Sequence, residues 1–207
     1  LTGTEFAASD LVAISTEVNG TGAAATVLGT SGILTIGTTN VVSNITGSSA
    51  DLKKVYAAYF DGDTGNGAKE NKGKLQFTKT DPTALVTGAE AAAADVAAFD
   101  AQTSGLVTLA VAKLTGSQAN VKTVIDNNDG TKLTGATGIN IELTNETVTN
   151  LNKAKSYTTG TISGVLKSDQ NTVATLKGIA SDGTATIAVS ATINDSGATS
   201  IAAADLK

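Results

Sequence analysis

Apolar positions in this chain recur at two alternating periods. Where they alternate with polar ones, as at Ile139, Ile141 and Leu143, an extended segment gains one apolar face. GILTIG (32–37), KLQFTK (74–79), LVTLAV (106–111), INIEL (139–143), TISGVL (161–166) and TATIAVSATI (184–193) predict strands on this ground. Between such runs stand apolar pairs three residues apart, Leu11 with Ile14 and Leu52 with Val55, preceded by Ser, Asp or Asn. That is the start signal of a short helix. Thr-Gly just upstream predicts a turn, and Gly20, Gly105 and Gly160 stand where the helices would stop. The alanines at 91–94 predict a helix with a small-residue face.

The alternation is copied. TGTEFAASDL (2–11) and TGAEAAAADV (87–96) share Thr, Gly, Glu, two Ala and Asp at an offset of 85. The frame returns at 143–151 and 200–207, so the anchors Leu11, Val96, Leu151 and Leu206 are spaced by 85, 55 and 55. A second motif runs through ITGSSADLKKV (45–55), LTGSQANVKTV (114–124) and LKSDQNTVATL (166–176). The unit is 55 residues, and the first copy is longer by 30. The expected organisation is a first unit at 1–86 with loops near 21–44 and 57–82, a second at 87–141, a third at 142–196, and the start of a fourth at 197–207. The array is expected to continue past Lys207. A step of roughly 25–30 residues holding one strand and one short helix approaches leucine-rich-type coils, which bury their apolar faces only when stacked. The expected fold is therefore α/β: a β-rich repeat array with short helices, either β/α solenoid-like or built from layered strand–short helix units. A row of small β-rich domains with helical connectors is the alternative.

Composition narrows the chemistry. The 207 residues contain no His, Cys, Met, Trp or Arg, and only seven aromatics. Metal sites built on His or Cys, thiol chemistry, Ser-His-Asp hydrolysis and histidine acid–base catalysis are thereby excluded. Base readout by arginine and stacking platforms have little material, and a net charge of −5 disfavours phosphate backbones, so no nucleic-acid partner is expected. No apolar run approaches the roughly 18 residues of a membrane span. The core must come from Ala, Val, Ile and Leu, which suits thin layers.

Few residues are left for a specific site. Asp61, Asp63 and Asn66, within YFDGDTGNG (59–67), are oxygen donors on a glycine-rich loop and candidate calcium ligands. The bidentate Glu that closes an EF-hand loop is missing at its spacing, with Glu70 a loose substitute. Asp126, Asn128 and Asp129 form a second acidic turn with the same candidate role. Tyr56, Tyr59 and Phe60 are the candidate sugar-stacking aromatics of the first unit. Glu5 with Asp10 and Glu90 with Asp95 recur, which argues for a scaffold role at helix starts rather than paired-carboxylate catalysis. Lys69, Lys72, Lys74 and Lys79 read as a solvated strand face. Asn19, Asn44, Asn145 and Asn194 begin Asn-x-Ser/Thr sequons, permissive of surface glycosylation.

The alternation of LTG-x-x-A-[DN]-[VL]-K-x-V with an anchor-to-glycine motif and a Thr/Val-rich strand resembles giant repetitive bacterial cell-surface proteins. These are the Ala/Thr/Gly/Asp-rich arrays of cyanobacterial and proteobacterial S-layer-like and adhesin-type proteins. The resemblance implies an acidic, secreted, thiol-free structural module at the cell surface, often stabilised by calcium and without catalysis. The chain departs from calcium-loaded nonapeptide arrays in having no GGxGxDxLx run. The expected function is a non-catalytic structural segment of a layer, filament or adhesin stalk. Its partners would be copies of itself or neighbouring repeats; it would require no cofactor, with calcium the one expected ion. A carbohydrate- or surface-binding module meeting surface glycans, a phage fibre segment and a flagellin-type outer domain are the alternatives.

Overall fold

The computed structural model describes residues 5–19, 34–36, 43–59, 75–77, 82–170, 172–179 and 185–191. Along the chain run β1 (Glu5–Ala7), α1 (Ala8–Asn19), β2 (Leu34–Ile36), β3 (Asn44–Gly47), α2 (Ser49–Tyr59), β4 (Leu75–Phe77), β5 (Thr83–Ala92) and α3 (Ala93–Asp100). There follow β6 (Val107–Gly116), α4 (Gln118–Asp126), β7 (Leu133–Thr134), β8 (Asn140–Glu146), α5 (Val148–Ala154) and β9 (Thr161–Leu166). A 3-10 turn at Ser168–Gln170, α6 (Val173–Leu176) and β10 (Thr186–Ser190) complete the described elements. The fold is α/β, with short helices on a parallel sheet.

Strands β1, β3, β5, β6, β8, β9 and β10 lie side by side in chain order, each parallel to its neighbour, and β7 adds to β6. The helices follow the same order: α1 packs on α2, α2 on α3, α3 on α4 and α4 on α5. A helix between two strands returns the chain to the same end of the sheet, which is what parallel pairing requires. The first unit's extra length is not all loop. β2 and β4 pair there in parallel, Leu34 beside Leu75 and Ile36 beside Phe77.

Two ladders of aliphatic side chains carry the core. Ile45, Ala84, Val107 and Leu133 stand in register across four strands, as do Ala91, Leu114, Ile141 and Ile162. None of the eight is more than 1% exposed. Leu109 and Leu114 lie five apart and would face opposite sides of a flat strand, yet both enter one core. Strand β6 therefore rotates its inward face between them, where Ala110 and Ala112 are exposed.

Several local expectations change. Thr46-Gly47 and Thr115-Gly116 end strands rather than forming turns, and Thr87-Gly88 lies inside β5. A Cβ on Gly47 would meet the Cβ of Ala8 at 2.7 Å, so the glycine lets the strand end close on the start of α1. Ala91 and Ala92 belong to β5, and only Ala93 and Ala94 open α3. Asp10 and Asp95 do sit in first helical turns, whereas Glu5 and Glu90 lie in strands. Glu90 pairs instead with Lys113 at 3.0 Å, and Lys113 also pairs with Glu142. Ser48 and Ser117 cap helices as expected and Thr147 and Thr172 do the same, each accepting the backbone N–H three residues on, whereas α3 begins after Ala92 with no side-chain cap. They stop earlier than Gly105 and Gly160, at Ala101 and Lys155, both in right-handed conformation.

Candidate functional site

Tyr56 is fully buried at the base of α2. Its ring stacks on Phe99 at 5.7 Å between centroids, and its hydroxyl donates to the Pro82 carbonyl at 2.8 Å. It is a core residue and not the exposed ring that stacking on a sugar needs; the small aliphatic core has an aromatic pair at its centre. Tyr59 ends α2, and its side chain lies outside the described residues, as do Phe60, Asp61, Asp63, Asn66 and the lysines at 69, 72, 74 and 79.

The second acidic turn is described in full, and Asp126, Asn128 and Asp129 each have one side-chain oxygen bonded within the chain. Asp126 pairs with Lys122, one helical turn back. Asp129 accepts from the N–H of Thr131 at 2.7 Å, the N–H of Lys132 at 2.8 Å and the Thr131 hydroxyl at 2.9 Å. These bonds to the charged form hold its carboxyl at about 2, led by the Lys132 N–H. Asn128 accepts from Ala136 N–H at 3.0 Å and donates to the Thr137 hydroxyl at 3.1 Å. Asp126, Asn128 and Asp129 thus serve three separate local structures; among the described residues no three acidic side chains gather as a metal site. Of the sequons, Asn44 is half-buried in β3 and accepts from Thr83, while Asn145 is exposed at φ +54 beside a bulge in β8. Asn19 ends α1, its side chain outside the described residues, and Asn194 lies outside them altogether.

The structure draws attention elsewhere, to the corners that follow α3 and α5. Thr103 and Thr158 are buried there, and each hydroxyl oxygen accepts the N–H of the glycine two residues on, Gly105 or Gly160, at 2.9 Å. With that frame fixed, position 100 corresponds to 155 and 102 to 157. The first corner carries Asp100 and Gln102, the second Lys155 and Tyr157.

At the first corner Asp100 is fully buried. One carboxylate oxygen accepts from Asn127 at 2.6 Å and lies 3.8 Å from the Lys132 ammonium; the other has no partner, nor has the side-chain oxygen of Gln102. Burial pushes the Asp100 carboxyl above its ordinary value, against the opposing pull of Asn127 and Lys132.

At the second corner a cleft of about 420 Å3 opens between the 136–138 and 155–159 segments. Ile125, Ala136 and the Tyr157 ring give it apolar surface; Asn128, Thr137, Lys155 and Thr159 give it polar groups. Gln118 at the start of α4 donates to the Tyr157 hydroxyl, and the Gln118 N–H donates to Glu146 at 2.9 Å. Glu146 also accepts from Asn150 at 2.7 Å, so the ring is braced from two strand–helix junctions. Sequence reading passed over Lys155 and Tyr157. The signal present was the opposite charge of Asp100 and Lys155 at the same place in the 55-residue frame.

No family model, curated protein or solved structure matches this chain. Among the described residues no helix is long and apolar enough to cross a membrane.

Proposed function

We propose that this chain is a non-catalytic structural segment of a surface-exposed repeat protein, a stacked strand–helix array of the β/α solenoid kind that extends a layer, filament or stalk. The observation that carries the reading is the strand order: seven parallel strands follow one another across the sheet in chain order, with α2, α3, α4 and α5 each resting on the helix before. A doubly wound enzyme fold reverses its strand order at a switch point and binds ligands there; this path does not reverse among the described residues. A sequence that advances one strand per step adds length with each copy, and each copy contacts chiefly its neighbours. The recurrence of Thr103 with Gly105 at Thr158 with Gly160 supports copying at the level of single hydrogen bonds. Neighbouring repeats and copies of the same chain are the partners this reading implies, at the extracellular surface.

Joining two copies of the chain head to tail in one polypeptide tests the proposal. Stacked repeats share an interface, so the urea midpoint should rise above that of the single chain, and small-angle scattering should give a longer particle of unchanged cross-section. An unchanged midpoint with two independent compact bodies would overturn it.

A further inference from the structure

Asp100 is the last residue of α3 and is fully buried, yet one of its carboxylate oxygens has no partner. An ionised carboxylate is costly in such a place unless both oxygens are bonded, so the site suits the neutral acid. Two nitrogens converge on the other oxygen. The Asn127 amide nitrogen, at the C-terminal cap of α4, lies 2.6 Å from it, and the Lys132 ammonium lies 3.8 Å from it. The segment between those two residues is pinned. Asp129 accepts from the N–H groups of Thr131 and Lys132, and the Lys132 carbonyl accepts from the Val107 N–H at 2.9 Å. An amine, a carboxamide and a buried acid are thereby held together before anything reacts. The Lys132 side chain is 42% exposed, which leaves a path to solvent on the amine's side.

We infer that Lys132 and Asn127 join in a side-chain amide, with Asp100 carrying the proton between them. The ammonium first gives a proton to the Asp100 oxygen that it faces. Burial of that carboxyl favours the transfer. A half-turn of the Asn127 amide then presents its oxygen to the neutral acid, which bonds it and draws charge from the amide carbon. The free Lys132 Nζ attacks that carbon. The C–Nζ bond forms, the C–Nδ2 bond breaks, and the amide nitrogen leaves with the protons that Nζ gives up, relayed by Asp100. The net change is one lysine ammonium and one carboxamide for one secondary amide and one ammonium ion. Holding amine and amide together replaces a chance encounter, and escape of the ammonium ion into solvent makes the step one-way. The link closes the turn between α4 and β7 into a ring. In the next copy Lys155 stands where Asp100 does, so the acid is missing there. The inference is independent of the extending role, since the array extends with or without the link.

Intact-mass measurement of the folded 207-residue chain, held at neutral pH for several days, tests it. The chain should be one ammonia lighter than its sequence mass. Trypsin should then fail to cleave the denatured chain after Lys132, and fragmentation should show Asn127 joined to Lys132. Lys132→Arg, at a half-exposed position, and Asp100→Asn should each abolish the loss, and chain kept unfolded in urea should retain its full mass. Should Asp100→Asn fail to fold, Lys132→Arg decides by itself. Full mass in the folded parent, a loss of ammonia that survives Lys132→Arg (a cyclic imide at an asparagine), or a loss of water joining Lys132 to Asp100 would each overturn the assignment.

Discussion

Thr103 and Thr158, 55 residues apart, perform the same act: each buried hydroxyl oxygen accepts the N–H of the glycine two residues on at 2.9 Å, turning the chain from a helix toward the next strand. Thr158 does more, donating also to the Ile139 carbonyl just before β8. Replacement by Val keeps the shape and removes the oxygen. Thr103→Val should cost about 1–3 kcal/mol, the penalty of a backbone N–H left without its partner, and Thr158→Val more, because an accepting carbonyl is orphaned as well. Urea denaturation of the two variants measures the difference; equal losses would mean the second bond contributes nothing.

Tyr56 separates packing from hydrogen bonding in the same way. Tyr56→Phe keeps the stack on Phe99 and removes the hydroxyl that bonds the Pro82 carbonyl, for an expected cost of about 1 kcal/mol. Tyr56→Ala empties a fully buried site and should cost about 3–5 kcal/mol. Thermal or chemical unfolding of both reads the ratio.

Two aspartates give the stability profile opposite limbs. Asp129 sits at about 2 in the fold against an ordinary 3.8, so its contribution is present above pH 3.8 and lost as pH falls toward 2. Asp100 is raised, so the native state holds its proton longer than the unfolded chain. Its contribution is complete below pH 3.8 and is lost as pH rises through the folded value. Subtracting an Asp129→Asn variant from the parent, pH by pH, should expose the first limb, and an Asp100→Asn variant the second. An Asp100→Asn difference that grows on acidification instead of alkalinisation would contradict the burial argument.

Gly164 holds φ +131 in the middle of β9, and a Cβ there would lie 2.0 Å from the Leu143 carbonyl oxygen on the neighbouring strand. Gly164→Ala is thus both conformationally strained and sterically blocked, and is expected to leave little folded protein by circular dichroism. Gly130→Ala shares the positive φ, at +79, but meets nothing within 4 Å. It should cost only about 1–2 kcal/mol of backbone strain.

Much of the layout was legible along the chain. TISGVL became β9 over the predicted residues, and the apolar anchors Leu11, Val96 and Leu151 are all fully buried on helices. What was misread lies where a strand passes directly into a helix. Along TALVTGAEAA (83–92) and into α3, Thr87-Gly88 was read as a turn and the alanines at 91–94 as a helix, because Thr-Gly signals the one and Ala favours the other. TALVTGAEAA is a ten-residue strand because β6 pairs along it from Ala84 to Ala92 and β3 adds to Thr83–Val86, a non-local gain that outweighs local preference. The candidate cleft was illegible for a related reason: Ile125 on α4, Thr137 before β8 and Lys155 after α5 are brought together only by folding.

The sequence by itself determined the alternation of extended and helical segments and the exclusion of His- and Cys-based chemistry, because these depend on residue type and near spacing. Tertiary structure alone decided that Tyr56 is core and that Asp100 is buried with one carboxylate oxygen unpartnered. Burial and charge environment are properties of what packs alongside, and for Tyr56 and Asp100 the hydrogen-bond partners lie 26 and 27 positions away in the chain.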